Sequence, residues 1–158
     1  MAVILKPDML GVDSFPTPTI FLAGSIEMGA AENWQERIER EFENEEVTFF
    51  NPRRDDWDSS WSQDGEQFNT QVNWELNALD DSDCIFMYFS PETKSPISLL
   101  ELGLYAEHNK MIVVCPNGFW RKGNVSVVCT RHSIPMFNTI EEGIFALRTA
   151  IKKNQTLY

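Results

Sequence analysis

Short apolar runs alternate with amphipathic segments along most of this chain. The apolar runs predict β-strands at residues 19–23, 47–50, 84–89 and 111–115. The last two runs are apolar without alternation, which is typical of central strands that are covered on both faces. Weaker candidates for strands lie at the N-terminus and near residues 125–128.

Between these runs, apolar side chains recur at helical spacing and predict helices over residues 30–43, 67–79, 96–108 and about 140–151. The first helix is expected to bury one stripe of side chains, Ala30, Trp34, Ile38 and Phe42. Strands that alternate with helices form βαβ units, which build a mostly parallel sheet between two layers of helices. We therefore expect an α/β three-layer sandwich with about five strands, doubly wound, in a single domain over residues 1–158. Such sheets bind ligands beyond the carboxyl ends of their strands.

Charge and composition narrow the class of partner. The 158 residues include 13 Lys and Arg against 24 Asp and Glu, for a net charge of −11. So negative a surface repels phosphate backbones and anionic lipid, and we expect neither a nucleic acid polymer nor a membrane as partner. No apolar run approaches the ~18 residues of a membrane span, and the N-terminus does not have the pattern of a signal peptide. The three cysteines form no CxxC pair, which predicts reduced, buried thiols in a cytoplasmic protein.

Two glutamates interrupt the apolar faces of the predicted helices. Glu101 lies four residues after Ile97, and Glu75 lies three residues after Val72, each on or beside the buried stripe. Because a buried carboxylate is costly unless it is paired or faces a wet cavity, each glutamate either points sideways to a partner or serves a site. Two converging carboxylates suit glycosyl chemistry, although periodicity alone also allows a metal site or another acid–base pair.

Two further segments follow predicted strands. The turn at Gly24-Ser25 opens a helix and can present backbone N–H groups to a ligand, or it is an ordinary strand-to-helix connection. The polar loop over residues 51–61 contains two tryptophans, which either pack locally or stack on a nucleobase. His108 and His132 show no ligand spacing with each other or with a cysteine, so no metal site is predicted.

Four stretches of the sequence resemble the nucleoside 2-deoxyribosyltransferase family: IFLAGSIEMG, NPRRDDW, QVNWELNALDDSDCI and SPISLLELGLYA. The resemblance runs from about residue 20 to residue 128, and Glu75, Asp83 and Glu101 fall at the spacing that the family shows. It implies a flavodoxin-like parallel sheet, a deoxynucleoside and a free nucleobase as small-molecule substrates, and no cofactor. It also implies a homo-oligomer whose subunits complete each other's sites.

The resemblance assigns roles residue by residue. Glu101 matches the nucleophile that attacks C1′ of a 2′-deoxynucleoside, and Glu75 matches the acidic residue that donates or organises the proton for the departing base. Asn124 approximately matches an asparagine that a neighbouring subunit donates to the sugar hydroxyl. The remaining matches line the site or face the base: Gly24, Ser25, Asn51, Arg53, Asp56 and Trp57.

The sequence also departs from the family pattern. Ser95 stands where better-known members have a second aspartate, and Phe21 stands where they carry an aromatic hydroxyl. Related hydrolases of deoxynucleoside 5′-monophosphates carry an arginine in the first turn, approximately where this chain has Glu27. A carboxylate there favours nucleosides over nucleotides, although Ser95 and Ser98 can still donate to a phosphate.

These roles imply a double displacement through a covalent glycosyl-Glu101 intermediate, with Glu101 charged and Glu75 holding its proton. Water in place of the second base gives hydrolysis of the deoxynucleoside. Two alternatives remain: a hydrolase of deoxynucleoside 5′-monophosphates with the same carboxylates, and a non-catalytic nucleotide- or flavin-sensing module on the same fold.

Overall fold

The computed structural model describes residues 1–7, 14–26, 32–54, 62 and 64–155. Within them the chain forms six β-strands: β1 (Val3–Leu5), β2 (Thr19–Gly24), β3 (Thr48–Phe50), β4 (Cys84–Tyr88), β5 (Met111–Val114) and β6 (Met136–Phe137). The same residues form five α-helices: α1 (Trp34–Glu41), α2 (Glu66–Asp81), α3 (Pro96–Tyr105), α4 (Lys122–Arg131) and α5 (Ile140–Gln155).

All six strands are parallel, in the order β1-β3-β2-β4-β5-β6. The chain moves from β2 to β3 in one direction and then returns past β2 to β4, so the order reverses between β2 and β4. The helices that follow these two strands, α1 and α3, pack on opposite faces of the sheet. Doubly wound sheets bind their ligands in a crevice at such a reversal, which in this chain lies at the carboxyl ends of β2 and β4.

The predicted α/β sandwich is confirmed, with local corrections. The candidate N-terminal strand forms β1 and pairs with β3, whereas residues 125–128 lie in α4 and not in a strand. Val125 and Cys129 of α4 are both buried one helical turn apart, so burial of a helical face overrides the β-propensity of the valines. Helix α1 begins at Trp34, where the Asn33 side chain accepts a hydrogen bond from Glu36 N at 3.3 Å and caps the helix, and Ala30 of the predicted helix lies outside the described residues.

Two hydrophobic cores lie on the two faces of the sheet. One core joins α2, α3 and α4 to the sheet, and the other joins α1 and α5 to the opposite face. In the second core α5 lies close to β5, since a Cβ added at Gly143 would lie 2.3 Å from Val114 Cγ2. Helices α2 and α3 are therefore neighbours on one face, which brings the two predicted glutamates into the same layer.

Two polar clusters fix the end of the sheet opposite the crevice. Asp83 Oδ2 accepts hydrogen bonds from Thr19 N at 2.7 Å and Thr19 Oγ1 at 2.9 Å, which joins the starts of β2 and β4. Lys110 Nζ donates to the carbonyl oxygens of Leu79 at 2.6 Å, Asp80 at 3.0 Å and Ser82 at 2.8 Å. A cation at this position neutralises the negative end of α2. The two hydrogen bonds from Thr19 give Asp83 a structural role at the starts of β2 and β4.

None of the helices in the described ranges is long and apolar enough to cross a membrane.

Candidate active site

Glu101 lies on the inward face of α3 and is 8% exposed. Among the described residues its Oε2 atom has no hydrogen-bond partner. Burial raises the pKa of Glu101 to about 8, and the negative charge of Glu75 adds to the rise. The alternative in which Glu101 points sideways to an arginine or a backbone amide therefore finds no support at Oε2 within the described ranges. A buried oxygen without a partner costs free energy and indicates a site kept ready for a ligand.

Glu75 lies on α2 and is partly buried. Burial raises its pKa, while a hydrogen bond from Gln71 opposes that rise. Because the charge of Glu75 acts on the pKa of Glu101, the two carboxyl groups are electrostatic neighbours. The raised pKa of Glu75 has the expected direction, whereas the pKa of Glu101 rises above neutrality, opposite to the expectation that Glu101 stays charged. Which of the two groups holds the proton stays a prediction.

A residue that the sequence analysis missed contacts Glu75. Gln71, one helical turn before Glu75 on α2, donates from Nε2 to Glu75 Oε1 at 2.6 Å. Its Nε2 also donates to Pro52 O at 3.3 Å, and its Oε1 accepts from Arg54 Nη1 at 3.3 Å. The spacing of four residues between Gln71 and Glu75 was the available signal.

The first turn is held at the crevice by close backbone contact. Gly24 has φ +139°, and a Cβ atom there would lie 2.1 Å from Tyr88 O, so the position requires glycine. The next residue, Ser25, donates its backbone N–H to Tyr88 O at 3.0 Å. This turn is therefore fixed against the end of β4.

Ser25 also anchors a buried cluster of hydroxyl groups. Its Oγ atom accepts from Ser90 N at 2.8 Å and lies 2.8 Å from Thr93 Oγ1 and 2.5 Å from Ser95 Oγ. Thr93 Oγ1 in turn lies 2.7 Å from Ser95 Oγ and donates to Ser90 O at 2.9 Å. The cluster joins the turn after β2 to the loop after β4 and stiffens the floor of the crevice.

Ser95 and Ser98 begin α3 with buried side chains. Ser95 adopts the left-handed conformation with φ 48° and precedes Pro96, which is the first helical residue. The Oγ atom of Ser95 lies 2.5 Å from Ser25 Oγ and 2.7 Å from Thr93 Oγ1. The start of α3 therefore carries a neutral hydroxyl group that is already hydrogen-bonded.

Asn51 and Arg53 follow β3 and are engaged with the protein. Asn51 is 3% exposed, donates from Nδ2 to Glu39 Oε1 at 2.6 Å and accepts from Arg53 N at 2.9 Å. Arg53 Nη1 donates to Glu32 O at 3.2 Å and to Gln35 Oε1 at 3.3 Å. Asn51 therefore shapes the loop, and Arg53 joins this loop to the start of α1.

Two predicted site residues, Asp56 and Trp57, lie outside the described residues, as does Glu27. Asn124 lies exposed on α4, close to the start of that helix.

The described residues include neither a reactive thiolate nor a group of side chains that could hold a metal ion. Cys84, Cys115 and Cys129 are free, and burial raises the pKa values to about 12, about 11 and about 11 respectively. These thiols are therefore not reactive thiolates at neutral pH. No group of three or more His, Cys, Asp or Glu side chains is placed to hold a metal ion in the part of the chain that the structure describes.

Comparison with known proteins agrees with this arrangement. The family model described as nucleoside 2-deoxyribosyltransferase like matches residues 17–119. The match covers most of the chain and includes both glutamates, the first turn and the start of α3, whereas Asn124 lies beyond it. No curated protein sequence matches the chain. On the family match, the chain belongs to the nucleoside 2-deoxyribosyltransferase-like family.

Proposed function

We propose that this protein transfers 2-deoxyribose between nucleobases, with Glu101 as nucleophile and Glu75 as the group that moves the proton. The observation that carries the proposal is the Glu101 carboxyl group, which is buried, lacks a hydrogen-bond partner at Oε2 among the described residues and senses the charge of Glu75. Family membership supports nucleosides and nucleobases as the substrates.

The raised pKa of Glu101 changes which of the two glutamates holds the proton before the reaction. The reaction still needs one proton on the pair. Two buried carboxyl groups that sense each other share one proton and one charge near neutral pH. In the resting pair the proton lies on Glu101, whose pKa is about 8. For attack, the proton moves to Glu75 or directly to the base, and the positive charge that develops at C1′ stabilises the ionised Glu101.

The reaction then proceeds in two balanced steps. In the first, the Glu101 carboxylate bonds to C1′ as the glycosidic C1′–N bond breaks, and the leaving base takes the shared proton. In the second, a nitrogen of the incoming base bonds to C1′, the C1′–O bond to Glu101 breaks, and the incoming base returns its proton to the carboxyl pair. Two inversions at C1′ restore the β-anomer, and water in the second step gives free deoxyribose.

The surroundings of the pair support a neutral ligand. The hydroxyl of Ser95 is engaged within the cluster that contains Ser25 and Thr93, so it is not a ready phosphate donor. We therefore favour a deoxynucleoside over a deoxynucleoside 5′-monophosphate. In this proposal Gly24 and Ser25 line the sugar side, and Asn51 and Arg53 shape the loop that faces the base together with Asp56 and Trp57.

We further propose a homo-oligomer in which subunits complete each other's sites. Ile97, Leu100 and Leu104 are 59%, 59% and 51% exposed and lie at helical spacing on the outer side of α3. Helix α4, in the same layer, exposes Val127 as well as Asn124. An apolar stripe of this kind favours burial against another protein surface, and a second copy would bring its Asn124 toward a neighbouring site.

The function is tested by base exchange. Incubation with deoxyadenosine and cytosine is expected to form deoxycytidine, detected by chromatography. Glu101→Ala should abolish the exchange, whereas Glu107→Ala, which removes an exposed glutamate just after α3, should retain it. Brief exposure to a 2′-fluoro deoxynucleoside should add one sugar mass to the intact protein, located on Glu101 by peptide mapping.

Each alternative predicts a different result. With deoxyadenosine as donor, release of free deoxyribose without any deoxycytidine indicates a hydrolase of nucleosides. Release of deoxyribose 5′-phosphate in a separate incubation with a deoxynucleoside 5′-monophosphate indicates the hydrolase of monophosphates. Ligand binding that survives Glu101→Ala, with no turnover in the parent protein, indicates a sensing module. Exchange that persists in Glu101→Ala refutes the assignment of the nucleophile.

A further inference from the structure

Gln71 joins Glu75 to the loop after β3 through three hydrogen bonds. It lies on α2 and is buried. Its Nε2 atom donates to Glu75 Oε1 at 2.6 Å and to Pro52 O at 3.3 Å, and its Oε1 atom accepts from Arg54 Nη1 at 3.3 Å. The Glu75 contact is short for an N–H···O hydrogen bond, as expected when the acceptor is charged.

The two outer partners fix the orientation of the Gln71 amide. A guanidinium group only donates, so the atom facing Arg54 must be the amide oxygen. A backbone carbonyl only accepts, so the atom facing Pro52 must be the amide nitrogen. With both ends fixed, Gln71 offers Glu75 an N–H group and no acceptor.

This constraint determines which Glu75 oxygen exchanges a proton. Oε1 accepts from Gln71, and a proton on Oε1 would face the N–H group and break the contact. Resting on the function proposed above, we propose that Gln71 is a positioning residue that holds Glu75 through Oε1 and leaves Oε2 as the atom that takes and gives the proton.

The same contact biases the proton between the two glutamates. Among the described residues, the charged groups that act on this contact are Glu101 from α3 and, through the Gln71 amide, Arg54 from the loop after β3. Donation from Gln71 lowers the pKa of Glu75 against the rise that burial causes, whereas the Oε2 atom of Glu101 has no comparable donor among the described residues. The hydrogen bond from Gln71 therefore favours the charged form of Glu75.

The test replaces Gln71 with a side chain of similar length that cannot donate. Gln71→Met removes the N–H group, and Gln67→Met is the matched control, because Gln67 lies one turn earlier on the same helix with an exposed side chain. Side-chain carboxyl ¹³C signals of labelled glutamate are titrated by NMR and assigned with Glu75→Gln and Glu101→Gln. We expect the Glu75 midpoint to rise by about one pH unit in Gln71→Met, since a hydrogen bond to a charged group contributes that much or more.

The pH profile of the activity gives a second readout, because a loss of packing alone would not shift its midpoint. The acid limb of the pH profile of kcat/KM should shift upward with the Glu75 midpoint in Gln71→Met and stay in place in Gln67→Met. A uniform fall in kcat/KM at every pH, without a shift, overturns the proposal. If Gln71→Met does not fold, Arg54→Met serves as the second variant. It frees one end of the amide and should raise the Glu75 midpoint by a smaller amount.

The role of Gln71 and the proposed function can be refuted separately. An unchanged Glu75 midpoint in Gln71→Met, or in Arg54→Met where that variant is needed, overturns the role of Gln71 whether or not the protein exchanges bases. Absence of base exchange in the parent protein refutes the proposed function, and a shifted midpoint in that case still establishes that Gln71 sets the protonation of Glu75.

Discussion

Glu101→Gln should make the protein more stable in neutral and weakly alkaline solution. The folded protein holds the Glu101 carboxyl buried with a pKa of about 8, against 4.5 for an ordinary glutamate. Between these two values the folded state keeps a proton that the unfolded state has lost. Its stability therefore falls as the pH rises, by about 1.4 kcal/mol for each pH unit across the middle of this window.

The magnitude follows from the same two pKa values. The contribution of protonated Glu101 is fully present below pH 4.5 and is lost as the pH rises to about 8. Across pH 5 to pH 8 the cumulative loss is about 3–4 kcal/mol, a large fraction of the 5–15 kcal/mol typical of domain stability. Glutamine has nearly the same shape and does not titrate, so Glu101→Gln removes this loss.

The assay is urea unfolding at pH 5, 6, 7 and 8, followed by tryptophan fluorescence. We expect the parent protein and Glu101→Gln to have similar free energies of unfolding at pH 5 and to diverge steadily up to pH 8. Glu107→Gln removes an exposed carboxyl group and should follow the parent protein. Parallel curves for the parent protein and Glu101→Gln would refute the buried, protonated carboxyl group.

Three further predictions concern the scaffold, each measured as the urea-unfolding free energy. Gly143→Ala should lower the free energy of unfolding by about 1–3 kcal/mol, because α5 has no room for a Cβ atom at this position. Gly123→Ala should raise it by about 0.5–1 kcal/mol, because the added atom meets open space on α4. Equal effects of the two substitutions would contradict the close packing at Gly143. Lys110→Met should cost about 1–2 kcal/mol by leaving the carbonyl end of α2 without its cation, and an unchanged free energy would show that the contacts are not needed. Gly24→Ala should lower both stability and base exchange because its φ and the nearby carbonyl exclude a side chain, so a fully active, stable variant would contradict the geometry of the first turn.

Burial patterns account for most of what the sequence predicted about the fold. The continuous apolar runs became the central strands β4 and β5, because a strand covered on both faces must be apolar throughout. The valines near residues 125–128 misled the strand prediction because local propensity cannot indicate which face a neighbouring helix layer will cover. The two-residue strand β6 is too short to produce a periodic signal.

The candidate site was only partly visible in the sequence, for a physical reason. A glutamate on an apolar face conflicts with its surroundings, so Glu75 and Glu101 can be identified from one helix at a time. Gln71 carries no such conflict, because a polar residue on a helix is ordinarily solvated. The hydroxyl cluster is also hidden, since Ser25 and Thr93 are 68 residues apart and meet only when β2 and β4 pair.

The short strands at both margins of the sheet have a consequence for assembly. The order places β1, with three residues, and β6, with two residues, at the outer positions. Edge strands this short offer few free backbone N–H and C=O groups to a strand of a second molecule. They therefore disfavour extension of the sheet from one molecule to the next. Self-association of this protein should therefore proceed through side chains on its helical faces and not through the pairing of strands between molecules.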